Sequence, residues 1–123
     1  MKKLLSVFML SAFFLLVFSG GVDAQAANVK GTWQMAVETS AGSGSPEFDL
    51  KQPNDTTIEG SYRGQLGESA VTGTLKGNKI YLVFSISGNN IEYEGVVEGD
   101  TMKGKVKLGT MAEGTFTGRR KNG

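Results

Sequence analysis

The most informative segment of the chain reads IEYEGVVEGDTMKGKVKL, from Ile91 to Leu108. Polar and apolar side chains alternate on both sides of Gly99-Asp100, and a period of two residues is typical of a half-buried β-strand. Glycine readily adopts the positive φ that a tight hairpin turn requires. The segment therefore predicts two antiparallel strands that are joined by a two-residue turn at Gly99-Asp100.

The charged residues of this hairpin indicate its register. With the turn at that position, Glu94 faces Lys105 and Glu92 faces Lys107, so that opposite charges lie side by side on one face. The other face is apolar, and a shift of one residue would bury the charges instead. We interpret the charged face as a solvated, salt-bridged outer surface. A basic stripe for nucleic acid is disfavoured because acidic residues flank the lysines and the net charge is only +1.

The same alternation continues along the chain from Thr32 and predicts an all-β fold. Glycine together with Asn, Asp, Ser or Pro interrupts it every eight to twelve residues, which is typical of short strands linked by turns. Two further hairpin turns are predicted at Gly77-Asn78 and Gly88-Asn89. The predicted strands cover residues 31–39, 45–52, 56–63, 68–76, 79–87, 90–98, 101–108 and 112–120.

Eight strands in sequential order indicate an up-and-down topology, in which neighbours in the sequence are neighbours in space. Such a sheet can bury its apolar face by closing into a small barrel or by folding into two packed sheets. We favour a small eight-stranded antiparallel barrel because closure removes the exposed edges of an open sheet.

One phase of the alternation collects the large apolar residues and the mid-strand glycines, and we take it as the barrel interior. Glycine opposite a large residue can open a pocket, or it can let a narrow barrel curve while its own aromatic side chains fill it. Both interpretations remain open. An enclosed ligand would be mostly apolar and oriented by the hydroxyl of Tyr62 or Tyr93, and the predicted register places Phe84 opposite Tyr93. The candidate ligand-binding residues of the lumen are Trp33, Phe48, Tyr62, Phe84, Tyr93 and Phe116.

The composition excludes several kinds of chemistry. The chain has no His and no Cys, which removes imidazole and thiolate catalysts, their zinc sites and disulfides. The acidic residues between 27 and 123 fall on the outward phase or in turns, so none is placed to act as an acid or a base inside the barrel. We therefore expect no enzymatic activity, no cofactor and no metal site.

The N-terminal residues have the order of a secretory signal peptide. Two lysines precede an uncharged apolar run over 4–18, and small and polar residues then lead to Ala24 and Ala26. This run is shorter than the roughly 20 residues that span a bilayer. We predict a signal peptide over 1–26, cleaved after Ala26 or Ala24, and one domain over 27–123 that is exported to the periplasm or the medium without membrane contact. An uncleaved anchor is the alternative, and the paired lysines favour a bacterial source.

Several outer features could bind a protein partner instead of a small molecule. The predicted register places Tyr81 opposite Val96, and with Val83 these side chains would form an apolar patch on the outer wall. The predicted loops 40–45 and 64–68 are further candidates, since binding residues are often carried by loops on a rigid scaffold.

Short motifs in the first, third and last strands are similar to those of one known superfamily. A Gly-Thr-Trp sequence that ends at Trp33 opens the first strand, Arg119 or Arg120 closes the last one, and Ile58–Tyr62 reads IEGSY. These motifs resemble those of the calycin superfamily of lipocalins, fatty-acid-binding proteins and avidins. The third-strand motif is most similar to that of the avidins. The resemblance implies that Trp33 plugs one barrel end and that Arg120, by its phase, packs across it.

The resemblance and the residue pattern lead to the same expected function. They imply an exported, lipocalin-like protein that binds a small, mostly apolar ligand in its lumen. The alternative is a protein-interaction module, such as an inhibitor of a secreted hydrolase, in which a filled barrel is only the scaffold. In that case the loops or the outer apolar patch would contact the partner.

Overall fold

The computed structural model describes residues 27–121, and this range contains nine β-strands. The predicted signal peptide lies outside the described residues. None of the described residues forms a helix that is long and apolar enough to cross a membrane. The strands are β1 (Gly31–Thr39), β2 (Gly42–Gly44), β3 (Glu47–Lys51), β4 (Thr57–Gly64), β5 (Gly67–Lys76), β6 (Lys79–Ile86), β7 (Asn89–Glu98), β8 (Thr101–Leu108) and β9 (Ala112–Arg120).

The strands form one closed antiparallel sheet. From β3 to β9, each strand pairs with the next one along the chain, and β3 also pairs with β1. The last strand then returns to the first, with Phe116 opposite Val37 and Arg120 opposite Trp33. The closed barrel is confirmed and the two-sheet alternative is excluded, because β9 and β1 leave no gap in the hydrogen-bonded ring.

The second wall strand of the barrel is interrupted, which is why nine strands make an eight-stranded barrel. Both β2 and β3 pair with β1, β2 with its C-terminal end and β3 with its N-terminal half. Between them lie Ser45 and Pro46, and the Pro46 carbonyl still accepts a hydrogen bond from the Met35 N–H at 2.9 Å. Proline has no N–H to donate, so the ladder breaks where it enters the strand.

The predicted register of the segment from 91 to 108 is confirmed, whereas its salt bridges are not. Glu94 faces Lys105 and Glu92 faces Lys107. Long side chains on an exposed face remain solvated because a surface ion pair gains at most about 1 kcal/mol. Among residues 27–121, the ion pairs within 4.0 Å lie elsewhere, between Arg63 and Glu47, Arg120 and Asp100, and Lys121 and Glu47.

The hairpin between β6 and β7 turns one residue earlier than predicted. Ser87 has a φ of 54° and Gly88 a φ of 81°, and two consecutive positive values are typical of a type I′ turn. The pairing therefore shifts by two residues. Phe84 faces Ile91, and the predicted pairing of Phe84 with Tyr93 is wrong.

This shift also changes the predicted outer patch. Tyr81 faces Glu94 rather than Val96, and Val83 faces Glu92. All three patch residues are only half-buried in the barrel wall. The predicted pairing of Tyr81 with Val96 is therefore wrong, and the shifted register sets carboxylates directly beside Tyr81 and Val83.

Two glycines allow the close approach of β7 and β8. Gly95 and Gly104 lie opposite each other. A Cβ on Gly104 would lie 2.0 Å from the carbonyl oxygen of Glu94, and one on Gly95 would lie 2.1 Å from that of Lys103. Neither position can hold a side chain without moving the neighbouring backbone, so the mid-strand glycines permit the tight coiling of this wall.

The apolar phase faces the interior, as the alternation predicts. None of the charged residues between 27 and 121 is buried. Val29 is fully buried although it precedes the first strand. The other large, fully buried side chains are Trp33, Met35, Phe48, Ile58, Val71, Leu75, Ile80, Leu82, Ile91, Val106 and Phe116.

Candidate functional site

The centre of the barrel holds a cluster of aromatic rings. Phe48 on β3 contacts three of them, with ring centroids 5.4 Å from Tyr62, 5.9 Å from Phe84 and 5.0 Å from Tyr93, all in edge-on geometry. The fifth ring, Phe116 on β9, lies 5.0 Å from Tyr93. We call these five residues the aromatic cluster. The structure thus brings five of the six predicted lumen residues into one group of rings, and the sixth, Trp33, lies on β1 directly opposite Phe48.

The aromatic cluster spans the narrow lumen from wall to wall. Phe48 and Tyr93 stand on β3 and β7, which lie on opposite sides of the eight-membered ring of strands, yet their rings touch. Tyr62 and Phe84 stack at 4.4 Å with an interplanar angle of 26°. The rings therefore occupy the lumen at this level, and a ligand would have to displace them. An open depression of about 1080 Å³ lies instead on the outer wall, along β1 and β7 to β9.

The polar atoms inside this cluster are the two phenol oxygens of Tyr62 and Tyr93. Burial raises the pKa of Tyr93, and the nearby Tyr62 phenol adds to the effect. Burial also raises the pKa of Tyr62, while the backbone of Leu66 acts in the opposite direction. Both phenols are therefore neutral hydroxyl groups at physiological pH. No group of three or more acidic side chains among residues 27–121 is placed to hold a metal ion.

Trp33 lies at one end of the barrel, under an arginine. Its indole N–H donates a hydrogen bond of 2.9 Å to the Val29 carbonyl. The guanidinium carbon of Arg120 lies 4.6 Å from the Trp33 ring centroid, close enough for a cation–π interaction. Arg120 also donates to Asp100 at 2.8 Å and to the Asn28 carbonyl at 2.8 Å. We call this the closed end, because these groups cover the indole ring.

The segment before β1 completes the closed end, and sequence reasoning missed it. The Ala27 N–H donates to the Gly77 carbonyl at 2.9 Å. The Gln52 side chain accepts from the Val29 N–H at 2.8 Å and donates to the Ala27 carbonyl at 3.1 Å. These partners are 23 or more residues apart along the chain, so no local sequence pattern predicts the contacts.

The opposite end, which we call the open end, consists of four short turns. The predicted loop 40–45 is mostly ordered as β2, which leaves a turn of Ser40 and Ala41, and the predicted loop 64–68 shrinks to two residues. Both predicted loops are therefore shorter than expected, because strand residues occupy most of their length. The two exposed large apolar side chains among the described residues, Leu66 and Met111, both lie here and are 42% and 59% exposed.

Comparison with solved structures identifies the fold. A de novo designed fluorescence-activating β-barrel aligns over 82% of this chain and 100% of its own, with 21% identity and a TM-score of 0.61. The protein EF1p2_mFAP2b bound to DFHBI aligns over 75% of this chain and 93% of its own, with 14% identity and a TM-score of 0.56. At these identities the likeness concerns the fold alone, which is a small closed antiparallel β-barrel.

A natural protein also appears among the similar structures. Fatty-acid-binding protein 1 of Echinococcus granulosus aligns over 75% of this chain and 96% of its own, with 12% identity and a TM-score of 0.46. Neither a protein-family model nor a curated protein sequence matches the chain. A ligand must therefore be argued from the residues of this barrel.

Proposed function

We propose that this protein is an exported, lipocalin-like binding protein that holds a small, mostly apolar ligand in its lumen. The observation that carries this proposal is the aromatic cluster, whose five members are at most 5% exposed. A flat apolar molecule that displaces one of these rings would meet the apolar faces and edges of the others. The two phenol hydroxyls are the polar groups that would orient such a ligand.

The side chains that line the lumen suit ligand binding better than catalysis. None of the charged residues between 27 and 121 is buried, so the lumen offers no carboxylate or ammonium group for proton transfer. The fold relatives include a fluorescence-activating barrel and a complex with DFHBI, which are small-molecule functions, but their low identity limits the comparison to the fold. The ligand class proposed here comes from the aromatic cluster alone.

Export is part of the proposal and rests on residues 1–26. Their charged start, apolar run and small-residue exit support a signal peptide that is cleaved after Ala24 or Ala26. N-terminal sequencing of the protein from the periplasm or medium of its host tests this directly. We expect the mature chain to begin at Gln25 or Ala27, and an intact Met1 in a membrane fraction would contradict export.

Native mass spectrometry of the protein purified from its own host tests the ligand. We expect a bound mass of a few hundred daltons that is lost on denaturation. Val106→Phe adds a ring inside the barrel and should abolish the bound mass, whereas Val96→Phe adds the same ring to the outer wall and should preserve it. Circular dichroism checks that both variants fold, because overpacking of an interior costs about 1–3 kcal/mol. A bare chain in the parent protein would contradict the proposal.

A second candidate function is supported by the filling of the lumen. Because Phe48 and Tyr93 touch from opposite walls at 5.0 Å, the barrel also suits a rigid scaffold. A protein-interaction module, such as an inhibitor of a secreted hydrolase, would then bind through the open end with Leu66 and Met111. A pull-down of exported host proteins tests this. The parent protein should retain a partner that a Leu66→Ser, Met111→Ser double variant loses, and equal recovery by both would contradict it.

A further inference from the structure

The hydroxyl group of Tyr93 is buried and has no hydrogen-bond partner among residues 27–121. The residue is 2% exposed, and its ring is enclosed by Phe48, Phe84 and Phe116. None of the hydrogen bonds among residues 27–121 involves this hydroxyl. By contrast, the buried indole N–H of Trp33 does have a protein acceptor. The closed end therefore satisfies its buried donor, whereas the lumen leaves one free.

An unsatisfied buried donor is costly, and native proteins rarely keep one. Tyr93 lies on the inward phase of β7 and is 2% exposed, so the aromatic cluster shields its side chain from bulk solvent. Burial raises the pKa of this phenol, which keeps it protonated. The free group is thus an O–H donor that requires an acceptor from outside the protein.

The lumen cannot neutralise an anionic acceptor. None of the charged residues between 27 and 121 is buried, and Arg120, the arginine nearest to the interior, is held by Asp100 at the closed end. Moving an ionised carboxylate into such surroundings without a counter-ion costs far more than moving a neutral polar group. A carboxylate ligand is therefore excluded from the vicinity of Tyr93, and a neutral acceptor is favoured.

The ring orientations indicate the shape of the ligand. Tyr62 and Phe84 lie 26° from parallel, and Phe84 and Tyr93 lie 28° from parallel. Rings that stand in one row offer flat faces to a planar molecule that displaces one of them. A flexible alkyl chain would not use this alignment.

We propose that the lumen selects a neutral, planar aromatic or conjugated molecule whose carbonyl or ether oxygen accepts a hydrogen bond from Tyr93. This proposal rests on the proposed function, since it requires the lumen to take a ligand. It assigns Tyr93 as the residue that determines specificity. Tyr62 has a lesser role, because its hydroxyl lies near the open-end backbone of Leu66.

Three naphthalene probes test the proposal by calorimetric titration at pH 7.5. They are 2-acetylnaphthalene, which has a neutral acceptor, 2-ethylnaphthalene, which has none, and 2-naphthoate, which is an anion. In the parent protein, we expect 2-acetylnaphthalene to bind at least about 100-fold more tightly than 2-naphthoate. Tyr93→Phe should weaken 2-acetylnaphthalene about tenfold and leave 2-ethylnaphthalene unchanged. Tyr81→Phe, which removes a phenol hydroxyl from the outer wall, is the matched control and should change neither affinity by more than about twofold.

The outcomes separate the two proposals. If the parent protein binds none of the probes, the proposed function is contradicted and this inference fails with it. If the neutral probes bind but Tyr93→Phe weakens both equally or neither, the lumen takes ligands and the role of Tyr93 is overturned. If 2-naphthoate binds as tightly as 2-acetylnaphthalene, the selection of neutral ligands is overturned.

Thermal unfolding of the ligand-free protein gives an independent test. Because Tyr93→Phe removes an unsatisfied donor, the midpoint of unfolding should rise or stay constant. A midpoint several degrees lower would mean that the hydroxyl already has a partner in the ligand-free barrel, such as a trapped water, and would overturn the inference.

Discussion

The two ends of the barrel differ in chemistry. At the closed end, Arg120 bridges the Asp100 carboxylate, the Asn28 carbonyl and the Trp33 ring. At the open end, the four turns carry no charge, and two of them expose Leu66 and Met111. Dense hydrogen bonding is characteristic of a structural element, whereas exposed apolar side chains are characteristic of a contact surface. We infer that the closed end stabilises the barrel, whereas the open end is the side from which we propose that a ligand enters.

The largest effect on the free energy of unfolding is expected from removal of the indole at the closed end. Trp33→Ala should lower the free energy of unfolding by about 3–5 kcal/mol, because it creates a large cavity. The substitution also removes the ring that the Arg120 guanidinium contacts. Urea denaturation measures the change, and Leu66→Ala at the open end is the control, with an expected change within about 0.5 kcal/mol. A loss below about 1 kcal/mol for Trp33→Ala would show that the closed end does not stabilise the barrel.

The next test separates Arg120 from its neighbour. Arg120→Ala should cost about 1–3 kcal/mol, because it leaves carbonyl groups of the N-terminal segment without their donor. Arg119→Ala removes the same charge from the outward phase and should cost less than about 0.5 kcal/mol. Hydrogen exchange should show faster exchange at the Val29 amide in the Arg120 variant. Equal effects of both substitutions would show that Arg120 acts through its charge alone and not through its hydrogen bonds at the closed end.

The lumen between the two ends should make the stability sensitive to high pH. Burial raises the pKa of Tyr93 in the folded protein above the ordinary value of about 10. The unfolded chain therefore loses this proton first, so stability is intact below pH 10 and falls as the pH rises further, by up to about 1.4 kcal/mol per pH unit. Urea denaturation between pH 8 and pH 12 should show a shallower decline for Tyr93→Phe. Identical slopes for both proteins would contradict the burial of a neutral phenol.

The smallest effect on stability is expected from the open end itself. The double variant Leu66→Ser, Met111→Ser removes exposed apolar side chains and should change the free energy of unfolding by less than about 0.5 kcal/mol. A loss above about 1 kcal/mol would show that this end is structural as well, and the contrast between the ends would disappear.

The alternation of side chains was sufficient to predict which residues face inward, because a period of two residues fixes the face of every strand position. It failed at the β6–β7 turn. Ser87 adopts a positive φ there, which is rare for a residue with a Cβ, so the Gly-Asn pair that follows Ser87 was the stronger local signal. The choice of turn then set the partners of Phe84 and Tyr81.

The candidate site was predictable only in part. The membership of Phe48 and Phe116 in the lumen follows from their phase, but the contact of Phe48 with Tyr93 depends on the barrel diameter, which no sequence pattern encodes. The Gln52 side chain bonds to Ala27 and Val29, and these contacts help to bury Val29. They depend on residues that meet only after the barrel has closed. Both features depend on tertiary contacts, and the contact of Phe48 with Tyr93 is the one that distinguishes a filled lumen from an open one.

The central claim is that a small ligand occupies the lumen within the aromatic cluster. The most direct measurement is the nuclear Overhauser effect between 2-acetylnaphthalene and the protein in solution. We expect cross-peaks from the probe to the ring protons of Phe48, Tyr93 and Phe116. Cross-peaks confined to the side chains of Leu66 and Met111, or to none, would contradict it.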